Sequence, residues 1–313
     1  MRKIHWLKML AFGLLAFGVL SVLGVLYDPA IASTIGFSEY KYRAERTNSI
    51  DVIMAGSSFM YCSYTPIEAY ERHGFTSYVV ASPEQPIEAT YHRLASVLDT
   101  QTPKAVMLEV KSLAFAPEEA KPLERALEGY GVHPFFNFFR FHGRWDSLGE
   151  ANYKGAFKHL FSIGDRDVYK GYVHLTEHVA VAPTHRDIFD INSHYEKNLP
   201  HLDRLLQLCE KKGIDVIFYV APAGNVNHFD AYAADLAARY PQIPLINMAE
   251  HWEEAEIDFA LDYFDSGHLN YTGAAKCTAF LSDYLQEAYG FADRRGNTDW
   301  EADALRYGGI VGE

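Results

Sequence analysis

The chain has 313 residues, 49% hydrophobic and 22% charged, with a formal net charge of -13. That composition excludes wholesale disorder. The acidic balance, with no Lys/Arg-rich run beyond the extreme N-terminus, excludes a nucleic-acid partner, which needs a basic face. Three cysteines, Cys62, Cys209 and Cys277, without C-x-x-C spacing exclude a disulfide framework and a zinc ribbon.

Met9 to Tyr27 is a run of 19 residues without a charge. At about 1.5 Å per residue it reaches roughly 28 Å, close to the hydrocarbon thickness of a bilayer. Arg2, Lys3 and Lys8 precede it and Asp28 follows, so the positive-inside rule predicts a cytoplasmic N-terminus and an extracytoplasmic remainder. Ala30-Ile31-Ala32 has the pattern of a leader-peptide cleavage site. The apolar run, however, exceeds the roughly 7–15 residues of a leader, and it is apolar on all faces, so a retained anchor over 1–27 is expected.

Residues 28–50 read as a connector with mixed charges. An α/β alternation then begins. Asp51–Ala55 is a short apolar run ending in Gly56-Ser57-Ser58, as a buried strand running into a turn would be. A helix is predicted over Pro66–His73, with Thr65 at the cap position and Pro66 at the first helical one. A strand follows at Ser77–Ala81, a helix at Pro86–Leu98 and a strand at Ala105–Val110. The alternation breaks over 113–194, an insertion carrying the aromatic cluster 135–141 with His142, Arg144 and Trp145 behind it. It resumes with an amphipathic helix at Tyr195–Lys211, a strand at Asp215–Val220 and a helix at Ala231–Tyr240. A short strand at Pro244–Asn247 and a closing helix at Tyr271–Tyr289 complete it. Residues 290–313 read as a polar tail. Such alternation predicts a mainly parallel sheet with helices on both faces. Chemistry is then expected beyond the carboxyl ends of the strands, at 56–58, 82–85, after Val110, at 221–225 and after Asn247.

Two of those places hold reactive residue types. Ser58 lies in a strand-to-helix turn, where free backbone N–H groups can stabilise an oxyanion and Gly56 permits a sharp turn or a close approach. Asp265-Ser266-Gly267-His268 puts a carboxylate three residues before an imidazole. There Asp265 can accept from Nδ1–H, fixing the tautomer and leaving Nε2 to take a proton from a serine. A plain helix start capped by Asn270 is the alternative for that stretch. Both loops belong at one sheet edge, so they can meet despite their separation in the chain.

This arrangement resembles the SGNH (GDSL-like) hydrolase superfamily, and within it the bacterial membrane-anchored branch of teichoic-acid D-alanine transfer and alginate O-acetylation proteins. The segments that carry the resemblance are DVIMAGSSFMYCSYTP, SYVVASPEQPIEATYHRL with PKAVMLEV, and DYFDSGHLNYTGA, together with FFNFFRFHGRW. They extend over most of residues 50–289. The resemblance implies a flavodoxin-like three-layer α/β/α fold and a catalytic set of Ser58, His268 and Asp265. Departures are visible: Ser57 stands where Asp is usual, Phe59 follows where related sequences place His, and the Gly-x-Asn-Asp block is absent. Gln85, beside Ser82, is the candidate substitute oxyanion donor, with the backbone N–H of Ser58, and a purely structural turn role is the alternative for it. His142 and Arg144 are candidates for a substrate rim, against a plain role in an aromatic core.

His174-Leu175-Thr176-Glu177-His178 matches an inverted zinc-protease string, but it falls in the irregular insertion, so no metal is expected. No cofactor is expected either. The function implied is a serine-dependent O-acyltransferase or esterase acting on cell-envelope glycans or a polyol acceptor, beside a multi-pass membrane acyl-donor protein. A non-catalytic glycan-binding scaffold is the alternative. A nucleotide binder is disfavoured by the lack of a Gly-rich phosphate loop after the first strand.

Overall fold

A computed structural model describes residues 2–28, 37–115, 134–161, 166–182, 194–223 and 230–312. The elements in chain order are α1 (Arg2–Tyr27), α2 (Glu39–Tyr42), β1 (Val52–Gly56), α3 (Ser58–Tyr61), α4 (Pro66–His73), β2 (Ser77–Ala81), α5 (Ile87–Val97) and β3 (Ala105–Glu109). Then follow α6 (Pro134–Phe141), α7 (Glu150–Phe161), α8 (Glu196–Lys212), β4 (Asp215–Val220), α9 (Asp230–Arg239), β5 (Leu245–Asn247), α10 (Met248–His251), α11 (Tyr271–Tyr289) and α12 (Thr298–Val311). The A-x-A pattern at 30–32 and the loop residues Gly224 and Asn225 lie outside the described residues.

The chain divides into two compact units. The larger, residues 35–37, 45–119 and 166–313, contains a five-stranded, all-parallel sheet in the order β2-β1-β3-β4-β5. Successive side chains on a strand face opposite ways, and here both sets are buried, as expected of a parallel sheet covered on both faces. Val52, Met54, Val79, Met107 and Tyr219 meet Cys277, Leu281 and Leu285 of α11 in one core. The alternate set, Ile53, Val80, Val106 and Phe218, is equally buried. Helices α5 and α8 pack on each other and on the strands, as α4 and α11 pack together. The order of the strands reverses between β1 and β3, and a crevice beyond the carboxyl ends is the usual consequence.

The five strands and the helices between them fall within a residue or two of their sequence-predicted limits. Thr65 sits in the cap position of α4 with extended backbone but makes no side-chain cap bond. The stretch read as a polar tail is different: it carries α12, capped by Asn297, with Trp300 and Tyr307 buried. Asp303 of that helix is buried and accepts from Lys170 Nζ at 2.7 Å and from Arg166 Nε at 2.8 Å. Lys170, itself buried, also pairs with Glu45 at 2.6 Å and lies over the Trp300 ring at 4.7 Å. Removing one member of such a buried set would strand the others without solvent.

The smaller unit comprises residues 1–34, 38–44 and 120–165. Its long helix α1 contains His5–Tyr27, long and apolar enough to cross a membrane. Part of the predicted insertion therefore belongs with the N-terminal helix, while 166–182 belongs with the sheet unit.

Helix α12 also closes on α4, where Glu68 accepts from the Tyr307 hydroxyl at 3.3 Å. Burial pushes the Glu68 carboxyl up to about 7, against the opposing effect of the Tyr307 bond. A pKa raised by folding means that the native state holds a proton the unfolded chain has already released. The stabilisation is therefore complete below about pH 4.5 and lost as pH rises through about 7. Thermal melts of the wild type and Glu68→Gln between about pH 5 and about 8 should show the wild type losing ground to the variant as pH rises. Parallel curves would contradict this assignment.

Candidate active site

β1 delivers Ser57 and Ser58 to the carboxyl edge of the sheet, and the local geometry requires Gly56. Its φ is +152°, and a Cβ there would come within 2.5 Å of Glu109 Cβ on the neighbouring β3. Close approach of the two strand ends, with a backbone conformation that L side chains rarely adopt, leaves room only for glycine. Ser57 continues in extended conformation and Ser58 opens the single helical turn of α3.

The other half of the site is a short loop held from both ends. Tyr263 and Leu269 form an antiparallel bridge, and Phe264 N donates to His268 O at 2.9 Å. Asn270 caps α11, accepting from Thr272 N and Gly273 N at 3.1 Å each. Behind the loop, Asp262 is buried and accepts from Thr272 Oγ1 at 2.7 Å and Lys276 Nζ at 2.6 Å. Gly273 permits α11 to approach this loop: a Cβ there would meet the Asp262 carbonyl oxygen at 2.3 Å. The plain capping role of Asn270 and the presentation of Asp265 and His268 therefore coexist.

Across the gap, Ser58 Oγ lies 2.9 Å from His268 Nε2, although the two residues are 210 apart in sequence. His268 Nδ1 lies 2.9 Å from Asp265 Oδ2 and 3.0 Å from Oδ1. Asp265 Oδ1 also accepts from the backbone N–H groups of Gly267 and His268 at 2.7 and 2.8 Å. Partial burial raises the Asp265 carboxyl, but the His268 bond and the two backbone donors outweigh it and hold the group below its usual range. A carboxylate that stays charged keeps the Nδ1–H tautomer, which leaves Nε2 as the acceptor facing Ser58.

Beneath the serine turn lies a residue that the sequence reading passed over. Glu109, fully buried at the end of β3, accepts from Ser57 Oγ at 2.7 Å and Ser57 N at 3.3 Å with one oxygen. With the other it accepts from Lys111 N at 2.5 Å. The Lys111 side chain is buried as well, with its Nζ 3.8 Å from the centroid of Phe59. Phe59 in turn stacks on His268, centroids 5.1 Å apart. Burial pushes the Glu109 carboxyl up and the Lys111 amine down to about 8, each opposed by the charge of the other. The available signal was a pair of charges, Glu109 and Lys111, at the end of an otherwise apolar strand.

The remaining candidates are engaged elsewhere. Gln85 is buried; its Nε2 donates to Thr90 Oγ1 at 2.8 Å, while its Oε1 accepts from Ser82 Oγ at 3.0 Å and from Arg93. In this arrangement Gln85 and Ser82 brace the loop after β2, and the backbone N–H of Ser58 is left as the oxyanion donor named from sequence. His142 and Arg144 belong to the smaller unit. There His142 Nδ1 lies 2.8 Å from Phe139 O, and Arg144 Nη1 donates to Tyr27 O at 2.9 Å. The stretch His174–His178 is extended rather than helical. It runs beside 259–271 through Val179 N to Tyr263 O and Tyr271 N to Leu175 O, each 2.8 Å.

The chain matches no protein-family model and no curated protein.

If Glu109 braces the serine turn, Glu109→Ala removes the acceptor of the Ser57 hydroxyl and of the Ser57 and Lys111 backbone N–H groups. Denaturant unfolding should then show a loss of about 3 kcal/mol or more. A loss under about 0.5 kcal/mol, typical of surface positions, would exclude that role.

Proposed function

We propose that the chain is a member of the SGNH hydrolase superfamily, of its membrane-anchored branch, and works as an extracytoplasmic serine-dependent O-acyltransferase or esterase on cell-envelope glycans. The observation that carries this reading is the unbroken relay from Ser58 Oγ through the His268 ring to Asp265, each contact about 2.9–3.0 Å. The strand order 2-1-3-4-5, which doubly wound flavodoxin-like sheets share, fits the fold this superfamily implies. Such a relay on a covered parallel sheet has the roles needed for acyl transfer, and roles rather than sequence order define it.

In the first step Ser58 Oγ attacks an ester carbonyl while its proton passes to His268 Nε2. The tetrahedral oxyanion faces the N–H of Ser58. Collapse breaks the bond to the leaving oxygen, which takes the proton from His268, and leaves acyl-Ser58. Water, or a hydroxyl of a sugar or polyol, then gives its proton to His268 and attacks the acyl carbon. The second collapse returns that proton to Ser58 and releases an acid or a new ester. Asp265 holds the imidazole tautomer throughout and stabilises the imidazolium.

The apolar length of α1 supports a bilayer anchor, and the flanking charges support a cytoplasmic N-terminus. A multi-pass membrane acyl-donor protein is the partner that such an anchor suits. The engaged amide of Gln85 favours a second reading, a glycan-binding scaffold without turnover, because it leaves the oxyanion side with fewer donors.

Fluorophosphonate labelling with peptide mass spectrometry separates the two. The first reading predicts an adduct on Ser58 whose rate of formation falls by about 100-fold or more in His268→Ala, within the range general-base catalysis supplies. No adduct on folded protein, or labelling of Ser58 that is unchanged in His268→Ala, would favour the scaffold.

A further inference from the structure

Helix α6 does not pack along the C-terminal end of α1 alone: its aromatic residues reach down the apolar span. The Phe135 ring stacks on Phe17 with centroids 4.9 Å apart and planes at 27°, while Phe138 meets Tyr27 edge-on at 5.7 Å. Phe17 lies near the middle of His5–Tyr27, ten residues before Tyr27 and so about 15 Å along the axis. The polar ties sit at the other end. Asn137 Nδ2 donates to Asp28 Oδ2 at 3.1 Å, and Arg144 Nη1 donates to the carbonyl of Tyr27.

We propose that α6 and α7 form a second, non-spanning membrane element, seated in the outer leaflet against α1, with lipid as the occupant of their exposed face. The inference rests on the reading of α1 as a bilayer span. Given that span, a ring stacked on its midpoint lies in hydrocarbon by geometry. A helical backbone, as in α6, is the form in which peptide groups at such depth pair with one another.

The face of α7 fits the same surroundings. Tyr153, Phe157 and Leu160, at i, i+4 and i+7, are 56%, 67% and 36% exposed, whereas Asn152 and Ala156 on the adjacent face are buried. Glu150 and Lys154 pair at 2.6 Å on the far side of that stripe. Trp145, in the turn between the two helices, is 70% exposed. An apolar stripe beside a charged one, with Trp and Tyr at its margin, is the pattern of a helix lying at the lipid–water boundary. Helix α7 packs on α1, whose Leu7, Leu10, Leu14 and Leu15 are exposed, which points to lipid rather than a soluble protein. Removal of α1 by proteolysis would strip α6 of Phe17 and Tyr27, so α1 belongs to the folded unit.

The full-length protein in phosphatidylcholine vesicles tests this with an environment-sensitive fluorophore at Phe157→Cys, Leu14→Cys or Leu305→Cys, the native cysteines being buried. Leu14 lies in the span, and Leu305 is 81% exposed on α12. Lipids brominated along the chain should quench the probe at 157 to within about twofold of that at 14, and leave 305 unquenched. Quenching at 14 with 157 behaving like 305 would overturn the membrane seat while sparing the anchor. Absence of quenching at both 14 and 157 would overturn the anchor and the seat together.

Discussion

A carboxylate buried at the end of β3 holds the place where β1 becomes the turn that carries Ser58. Glu109 satisfies the hydroxyl and amide of Ser57 on one side and the amide of Lys111 on the other, so the turn carrying Ser58 is fixed by the neighbouring strand. Buried charge is costly unless every partner is in place, and that cost is what makes the arrangement specific to one geometry. Gly56 belongs to the same constraint, since any side chain there would displace Glu109. Lys111, Phe59 and His268 then stack in sequence, which links the brace under the serine to the imidazole above it.

The imidazole reaches Ser58 for a separate reason. A bridge at Tyr263–Leu269, a capped helix start at Asn270 and the pairing of buried Asp262 with Lys276 leave the loop 263–269 little freedom. Two backbone donors and His268 Nδ1 then share the Asp265 carboxylate. Pre-organisation of this kind means that a proton could move from Ser58 to Nε2 without rearrangement of the supporting shell. The parallel sheet supplies the frame, because it brings the first and last loops of the α/β alternation to one edge.

Much of this was legible in the sequence. Short apolar runs alternating with amphipathic stretches located the five strands, and Ser58, Asp265 and His268 were visible as a turn serine and an Asp-x-x-His pair. What escaped depends on contacts between distant segments. Glu109 looked like one residue of a strand until Ser57 was seen beside it. Helix α12 hid among scattered charges, although Trp300, Ala304 and Tyr307 at i, i+4 and i+7 marked a buried face. Gln85 had the right loop but was already committed to Thr90 and Ser82, and His142 and Arg144 proved to be partners of the smaller unit's own backbone. No local pattern distinguishes a polar side chain that faces a substrate from one that braces a loop.

The account turns on the protonation of one ring. Nitrogen-15 NMR of histidine-labelled protein, with His268 assigned through His268→Ala, reads the tautomer directly at a pH where the ring is neutral. The Nδ1–H form with a bare Nε2 is predicted, together with a downfield Nδ1 proton that disappears in Asp265→Asn. A neutral ring protonated on Nε2, or one indifferent to Asp265→Asn, would contradict the relay from Asp265 through His268 to Ser58.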